Sequence, residues 1–273
     1  MHHVEAHGAV IPAIGLGTWD LRGRVCARIV EQALRIGYRH IDTAQAYDNE
    51  REVGEGIRGS GVPRDALFVT TKIWWTQFAP RDLERSVKES LAKLRLSEVD
   101  LLLLHWPNPT VPLVETIGAL NRMKEVGFTR HIGISNFTVA LIEQAVRQSR
   151  QPLVTNQVEY HPYLDQSRVI GACRAHGIAV TAYSPLARGH TSDDDTLVSI
   201  GKVYGKTAAQ VALRWIVQQN IIAIPRTANP ERLRENFEVF DFELSLAHMT
   251  QIRALARPAG RLVNVSWAPQ WDR

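Results

Sequence analysis

Cysteine is scarce: the 273 residues hold two, Cys26 and Cys173. They stand far apart in stretches with helical patterning. That excludes a disulfide framework and a metal knuckle, and makes a reducing compartment the expectation. Long apolar runs are missing as well. No stretch approaches the roughly 18 apolar residues of a membrane span. Met1 to Val10 carries His and Glu where a secretory leader would carry an apolar core. The expectation is a cytoplasmic protein with no membrane contact. Lys/Arg-rich blocks are absent although the net charge is +4, so no nucleic-acid partner is expected. The modest excess fits an anionic cofactor or substrate as readily as an ordinary basic surface. No Gly/Pro-rich linker or low-complexity segment divides the chain, and one domain over residues 1–273 is expected.

What the sequence does have is alternation. Eight apolar, β-rich runs recur along it: Ile14–Gly17, Tyr38–Asp42, Leu67–Lys72, Val99–His105, His131–Ile134, Val154–Val158, Ile178–Tyr183 and Ile221–Ile224. Amphipathic helical patterns lie between them. Over Val25–Ile36 the apolar face is Val25, Ile29, Val30, Ala33 and Leu34. Over Arg81–Leu94 it is Leu83, Val87, Leu91 and Leu94. Pro80 stands where a helix tolerates proline, near its first turn. Gly37, Gly127 and Gly177 each separate a helical pattern from the next strand, where a left-handed cap is needed. Eight βα repeats predict a (β/α)8 barrel. A doubly wound sheet is the rival, but the Gly-x-Gly-x-x-Gly turn it would carry is incomplete after Gly15-Leu16-Gly17.

Three consecutive strands end on polar groups. Asp42 closes one, with Tyr47 just beyond it; Lys72 closes the next and His105 the third. Barrel enzymes place their chemistry at the carboxyl ends of the strands, so the four side chains are expected to meet at one rim. There Tyr47 is the natural general acid. A Lys72 ammonium would favour the phenolate and lower the phenol pKa, and Asp42 would hold the lysine charged and oriented. His105 could donate a hydrogen bond to a carbonyl oxygen. The set suits protonation of an oxyanion as it forms. No nucleophile stands beside a base, so hydrolysis fits poorly. Two other readings stay open on the residues alone: a lyase that uses Lys72 as a Schiff base, and a non-catalytic nucleotide-binding barrel acting as a regulatory subunit.

Over essentially its whole length the chain also resembles the aldo-keto reductase superfamily. The residues that carry the resemblance are Gly15-Leu16-Gly17-Thr18-Trp19, Arg39-His40-Ile41-Asp42-Thr43-Ala44 with Tyr47 and Asn49-Glu50, Thr71-Lys72, and Leu104-His105-Trp106-Pro107. Gly133-Ile134-Ser135-Asn136-Phe137, Asn156-Gln157, Tyr183-Ser184-Pro185-Leu186 and Ile224-Pro225-Arg226-Thr227 follow in order. The ending Arg261-Leu262-Val263 and Ala268-Pro269-Gln270-Trp271-Asp272 has the look of the bacterial B-type 2,5-diketo-D-gluconate reductases, which include methylglyoxal-reducing enzymes.

The resemblance implies a monomeric reductase of small aldehydes, ketones or dicarbonyls that takes hydride from NADPH and a proton from Tyr47. It implies that Tyr183 stacks on the nicotinamide while Ser135, Asn136 and Gln157 bind its carboxamide. Asp42 would touch the nearby ribose, and Ser184 and Leu186 would follow the pyrophosphate. Gly17, Thr18, Trp19 and Ile224 would also lie along the cofactor. Arg226, Thr227 and Arg232 would take the ribose 2′-phosphate, since guanidinium groups bind phosphate bidentately. Glu235 and Asn236 would approach the adenine. Trp19, Trp74 and Trp106, beside Tyr47 and His105, would wall the substrate pocket. The short segment from Trp106 to Pro112 and the short tail after Arg257 imply that this pocket is open and permissive.

Overall fold

The computed structural model describes residues 2–272; Met1 and Arg273 lie outside the described residues. The chain opens with an antiparallel hairpin, β1 (His3–Ala6) and β2 (Ala9–Pro12), turning at Gly8. Strands and helices then alternate: β3 (Leu16–Gly17), α1 (Gly23–Ile36), β4 (His40–Asp42), α2 (Glu50–Ser60), β5 (Phe68–Ile73), α3 (Pro80–Leu94) and β6 (Val99–Leu104). They continue with α4 (Leu113–Glu125), β7 (Thr129–Ser135), α5 (Val139–Gln148), β8 (Leu153–Glu159), α6 (Ser167–Ala175) and β9 (Ala179–Tyr183). Two helices in succession, α7 (Asp195–Tyr204) and α8 (Ala208–Val217), precede β10 (Ile222–Ala223). The helices α9 (Pro230–Phe237) and α10 (Leu246–Arg253) follow it.

The strands β3 to β10 form one parallel sheet in sequence order. Its edges meet: Gly15 N–H donates to Ala223 O at 2.9 Å, Ala223 N–H to Ala13 O at 2.9 Å, and Gly17 N–H to Pro225 O at 3.0 Å. The expected (β/α)8 barrel is therefore present, each of the eight strands falling on its predicted run to within one or two residues. At the seam only glycine fits, since a Cβ on Gly17 would lie 2.7 Å from Ile224 O.

One apolar layer fills the space between sheet and helices. A smaller one lies inside the barrel, where Val4, Ala6, Ala9 and Ile11 of the hairpin pack against Phe68, Leu101, Val154 and Ala179, near the beginnings of their strands. The hairpin thus plugs the end of the barrel at which the strands begin. Sequence patterning had not predicted it. The helix faces agree with expectation, with one correction: Val25 is exposed, and Cys26 takes its place in the buried stripe with Ile29, Val30, Ala33 and Leu34. Both cysteines are buried and unpaired. Gly37, Gly127 and Gly177 all adopt positive φ, as the cap positions require. Among the described residues no helix is long and apolar enough to cross a membrane, and no cluster of side chains is arranged to hold a metal.

Candidate active site

In the registers β4–β5 and β5–β6, Asp42 is level with Thr70 and Lys72 with Leu103, so each polar group stands two residues further along than the one on the strand before it. His105 N–H donates to Ile73 O at 3.1 Å, extending that alignment one residue past β6. After Asp42 the chain makes a single 3-10 turn, Gln45–Tyr47, which returns the phenol toward the strand ends. Lys72 is wholly buried there, and its ammonium donates to Asp42 Oδ1 at 2.5 Å, Thr43 O at 2.9 Å and Tyr47 Oη at 3.2 Å. Three donors meet three acceptors, so the charge is fully coordinated. Asp42 Oδ2 accepts from Gln157 Nε2 at 2.7 Å, which links β4 to β8 across the barrel. Asp42 does not cap the next helix: Asn49 stands at that position, accepting from Thr43 Oγ1 and donating to Thr18 O and Leu21 O.

The electrostatics follow from burial set against these partners. Burial alone would lower the Lys72 pKa, but Asp42 and the Tyr47 oxygen outweigh it and hold the ammonium above its ordinary value. For Tyr47 the balance is the reverse of the sequence expectation. Burial pushes the phenol up, and the pull of Lys72 reduces this rise without cancelling it. Burial, helped by the Lys72 charge, drives His105 well below the usual imidazole range, so this ring is neutral. Its Nδ1 is buried without a hydrogen-bond partner. A bare lone pair costs less there than an orphaned N–H, which favours the tautomer protonated on Nε2. The His105 ring meets Tyr47 edge-on at 5.6 Å and Trp74 edge-on at 5.3 Å.

Asp42, Tyr47, Trp74 and His105 line a cavity of about 900 Å³. Of the residues singled out in the sequence, all line it except Thr18, Lys72 and Ser135. Lys72 sits beneath the floor. Thr18 and Ser135 do not line the cavity, and their hydroxyls donate into the protein: Thr18 Oγ1 to Asp42 O and Ser135 Oγ to Gln157 O. Asn136 takes a left-handed backbone, φ 64°, a conformation asparagine tolerates. Its amide donates to His105 O at 3.0 Å while its oxygen accepts from Tyr183 Oη at 2.9 Å. Arg188, Arg226, Arg232 and Thr227 also line the cavity. Arg226 is partly engaged already: its Nε donates to Trp19 O at 3.1 Å and its Nη2 to Asp20 O at 2.9 Å.

The three tryptophans expected as walls all line the cavity, with different degrees of exposure. Trp19 is exposed, with the Arg188 guanidinium 5.7 Å from its ring centroid. Trp106 is buried against Trp271. The tail after Arg257, although short, adds Val263, Val265 and Trp267 to the cavity, so the mouth is not left open on that side. Sequence reasoning missed those three, and Arg188. The available signal was a pair of tryptophans, Trp267 and Trp271, in a segment with no helical or strand period.

A dinucleotide fits this donor set. The cavity is lined by the Tyr47 phenol, the amide side chains of Asn136 and Gln157 and three guanidinium groups, the donors that a nicotinamide and a phosphorylated ribose require.

Comparison with known proteins gives the same answer. Residues 13–257 match the model of the Aldo/keto reductase family. The methylglyoxal reductase DkgB of Escherichia coli O157:H7 is 42% identical over 265 residues, spanning 96% of this chain and 99% of the relative. A crystal structure described as a putative 2,5-diketo-D-gluconic acid reductase B superposes with a TM-score of 0.99 at 52% identity, over 100% of this chain and 98% of that one. The Bombyx mori aldo-keto reductase solved in complex with NADP superposes with a TM-score of 0.89 at 34% identity, over 95% and 93%. With its barrel, its Asp–Lys–Tyr cluster and a family match over most of its length, the chain belongs to the aldo/keto reductase family.

Proposed function

We propose that this protein reduces small aldehydes, ketones or dicarbonyls of the methylglyoxal or diketogluconate type to alcohols, with NADPH as the reductant. The observation that carries the reading is the Lys72 ammonium, 3.2 Å from Tyr47 Oη and 2.5 Å from Asp42 Oδ1, below a cavity that neutral His105 also lines. The cofactor, when bound, supplies the hydride. Asn136, Gln157 and Tyr183 would hold its nicotinamide end, Ser184 and Leu186 its middle, and Arg226, Thr227 and Arg232 its 2′-phosphate. Glu235 and Asn236 would meet the adenine. Ser135 acts through Gln157 and Thr18 through Asp42, since neither faces the groove.

His105 Nε2–H and Tyr47 Oη–H are the two donors offered to the carbonyl oxygen. A phenol whose pKa is raised by burial stays protonated at neutral pH, the form that a proton donor needs. As negative charge gathers on the carbonyl oxygen, the Tyr47 proton passes to it. The phenolate left behind is met by the Lys72 ammonium, whose own proton Asp42 keeps in place. Trp74 and Trp106, with Trp19 at the rim, would keep water from the reacting carbon. A Schiff base at Lys72 is disfavoured, because that nitrogen is charged, fully coordinated and outside the cavity wall.

The reading extends to a monomeric, single-domain, cytoplasmic enzyme, to which two buried free thiols are suited. The deciding assay is NADPH consumption with methylglyoxal and with diketogluconate, wild type against Tyr47→Phe. Loss of most turnover with cofactor binding retained is expected; equal rates in the two proteins would refute the mechanism.

A further inference from the structure

Glu159, the last residue of β8, takes no part in the proton-transfer cluster and does not line the cavity, yet it is wholly buried. Its Oε1 accepts the Leu262 N–H at 2.6 Å and a bond from His161 Nε2 at 2.9 Å, and its Oε2 accepts the Val263 N–H at 2.9 Å. One carboxylate therefore grips two consecutive backbone amides of a segment more than 100 residues away. Burial alone would raise its pKa, but His161 and these two amides outweigh it and keep the group ionised.

The gripped segment is the one that brings Val263, Val265 and Trp267 to the cavity. It enters over the loop after β8, where Arg257 N–H donates to Tyr163 O at 3.1 Å and Gly260 passes so close that a Cβ would lie 1.7 Å from the same oxygen. At its far end Trp267 meets Trp74 edge-on at 5.8 Å, and Asp272 Oδ2 accepts from Val139 N–H at 2.9 Å. Between those ends, among the described residues, no hydrogen bond other than the two to Glu159 joins the backbone of residues 261–267 to the barrel. Glu159 also pairs in register with Tyr183 and lies two residues beyond Gln157. The strand that presents Gln157 to the nicotinamide end thus also holds the wall of the substrate end.

We propose that Glu159 is a positioning residue for carbonyl reduction, clamping residues 262–267 so that Val263, Val265 and Trp267 stand as a preformed wall for the larger substituent of the substrate. The proposal rests on the reductase reading above. A three-carbon dicarbonyl such as methylglyoxal is too small to need that wall, whereas an aryl aldehyde must lie against it.

The test uses the full chain and Glu159→Gln, which keeps the shape of the side chain but loses its charge and one acceptor. Hydrogen exchange of the 258–272 segment should quicken about tenfold, the scale expected for the loss of a charge-assisted bond. KM for 4-nitrobenzaldehyde should rise about fivefold with kcat nearly unchanged, while both constants for methylglyoxal stay within about twofold, the signature of lost binding contacts rather than lost chemistry. Leu262→Pro removes one of the gripped amides from the other side and should give the same pattern. Combined with Glu159→Gln, it should add little. If Glu159→Gln does not fold, the proline variant decides alone. Unchanged exchange overturns the clamp whatever the turnover. Faster exchange with unaltered constants for the aryl aldehyde overturns the positioning role. A wild type inert toward both aldehydes refutes the reductase reading, and the positioning role with it, and leaves the exchange result to judge the clamp.

Discussion

Replacing Lys72 by methionine separates what the buried pair does for stability from what it does for chemistry. Lys72 and Asp42 are 0% and 1% exposed and 2.5 Å apart. Methionine fills much of the same volume but leaves the Asp42 carboxylate in the interior with Gln157 Nε2 as its remaining side-chain donor. Stranding a buried charge in this way costs about 3–5 kcal/mol. For a chain of this size that corresponds to a fall in Tm of about 5–10 °C. The double variant Lys72→Met/Asp42→Asn removes the stranded charge and should recover most of the loss, since a neutral pair in place of an ion pair is often close to neutral in stability. Activity should not recover. Both variants lack the ammonium that meets the Tyr47 phenolate, and kcat should fall about 100-fold or more in each, the scale of a deleted oxyanion donor. Differential scanning calorimetry and NADPH turnover read the two quantities on the same samples. A single variant melting within about 2 °C of wild type would refute the electrostatic reasoning. So would a double variant no more stable than the single, because the cost would then be lost packing rather than uncompensated charge.

Three further outcomes follow from the geometry. Gly17→Ala should cost about 1–3 kcal/mol in urea unfolding and weaken NADPH binding, because the added Cβ would lie 2.7 Å from Ile224 O at the barrel seam; an unchanged midpoint would show that the seam can spread. Arg226→Ala should raise KM for NADPH about tenfold while leaving NADH within a few-fold, as one guanidinium partner of the 2′-phosphate is lost. Equal effects on the two cofactors would instead assign Arg226 to holding the Trp19–Asp20 loop. Burial lowers the pKa of both His40 and His105, so below about pH 6.5 the unfolded chain binds protons that the folded chain refuses. Stability should therefore fall as pH drops from 7 to 5, by up to about 1.4 kcal/mol per pH unit for each fully neutral histidine. The raised Glu50 carboxyl works in the opposite sense. His105→Gln should flatten the slope by at most one proton, and an unaltered slope would mean that His105 titrates normally.

The rim residues were legible in the sequence because a parallel barrel turns position along a strand into position in space. Asp42 is level with Thr70 and Lys72 with Leu103, and this even, two-residue step keeps the polar groups of three successive strands on one face near the carboxyl rim. The proton-donating cluster follows from that rule and from the chemistry of its members. The sign of the Tyr47 shift does not, since it depends on how deeply the phenol is enclosed, and burial outweighs the neighbouring ammonium. The same limit explains Thr18 and Ser135, which stand at the right places along their strands but turn their hydroxyls onto backbone carbonyls.

Two other features escaped for different physical reasons. The amino-terminal hairpin is patterned, with Val4 and Ala6 facing Ile11 and Ala9 across Gly8, but four-residue strands give too short a period to stand out from a polar terminus. The carboxy-terminal wall has no period at all. Its register is set by backbone amides of Leu262 and Val263 bound to a carboxylate on β8, and an amide N–H is common to every residue except proline. What the sequence could show was the other partner: Glu159 ends the apolar run of β8 as Asp42, Lys72 and His105 end theirs. A buried acid at a strand end needs donors that outweigh its desolvation, and here one side chain and two main-chain amides supply them. The rule of polar groups at strand ends therefore reaches the carboxy-terminal wall of the cavity, with the difference that here the strand-end group binds the protein's own tail.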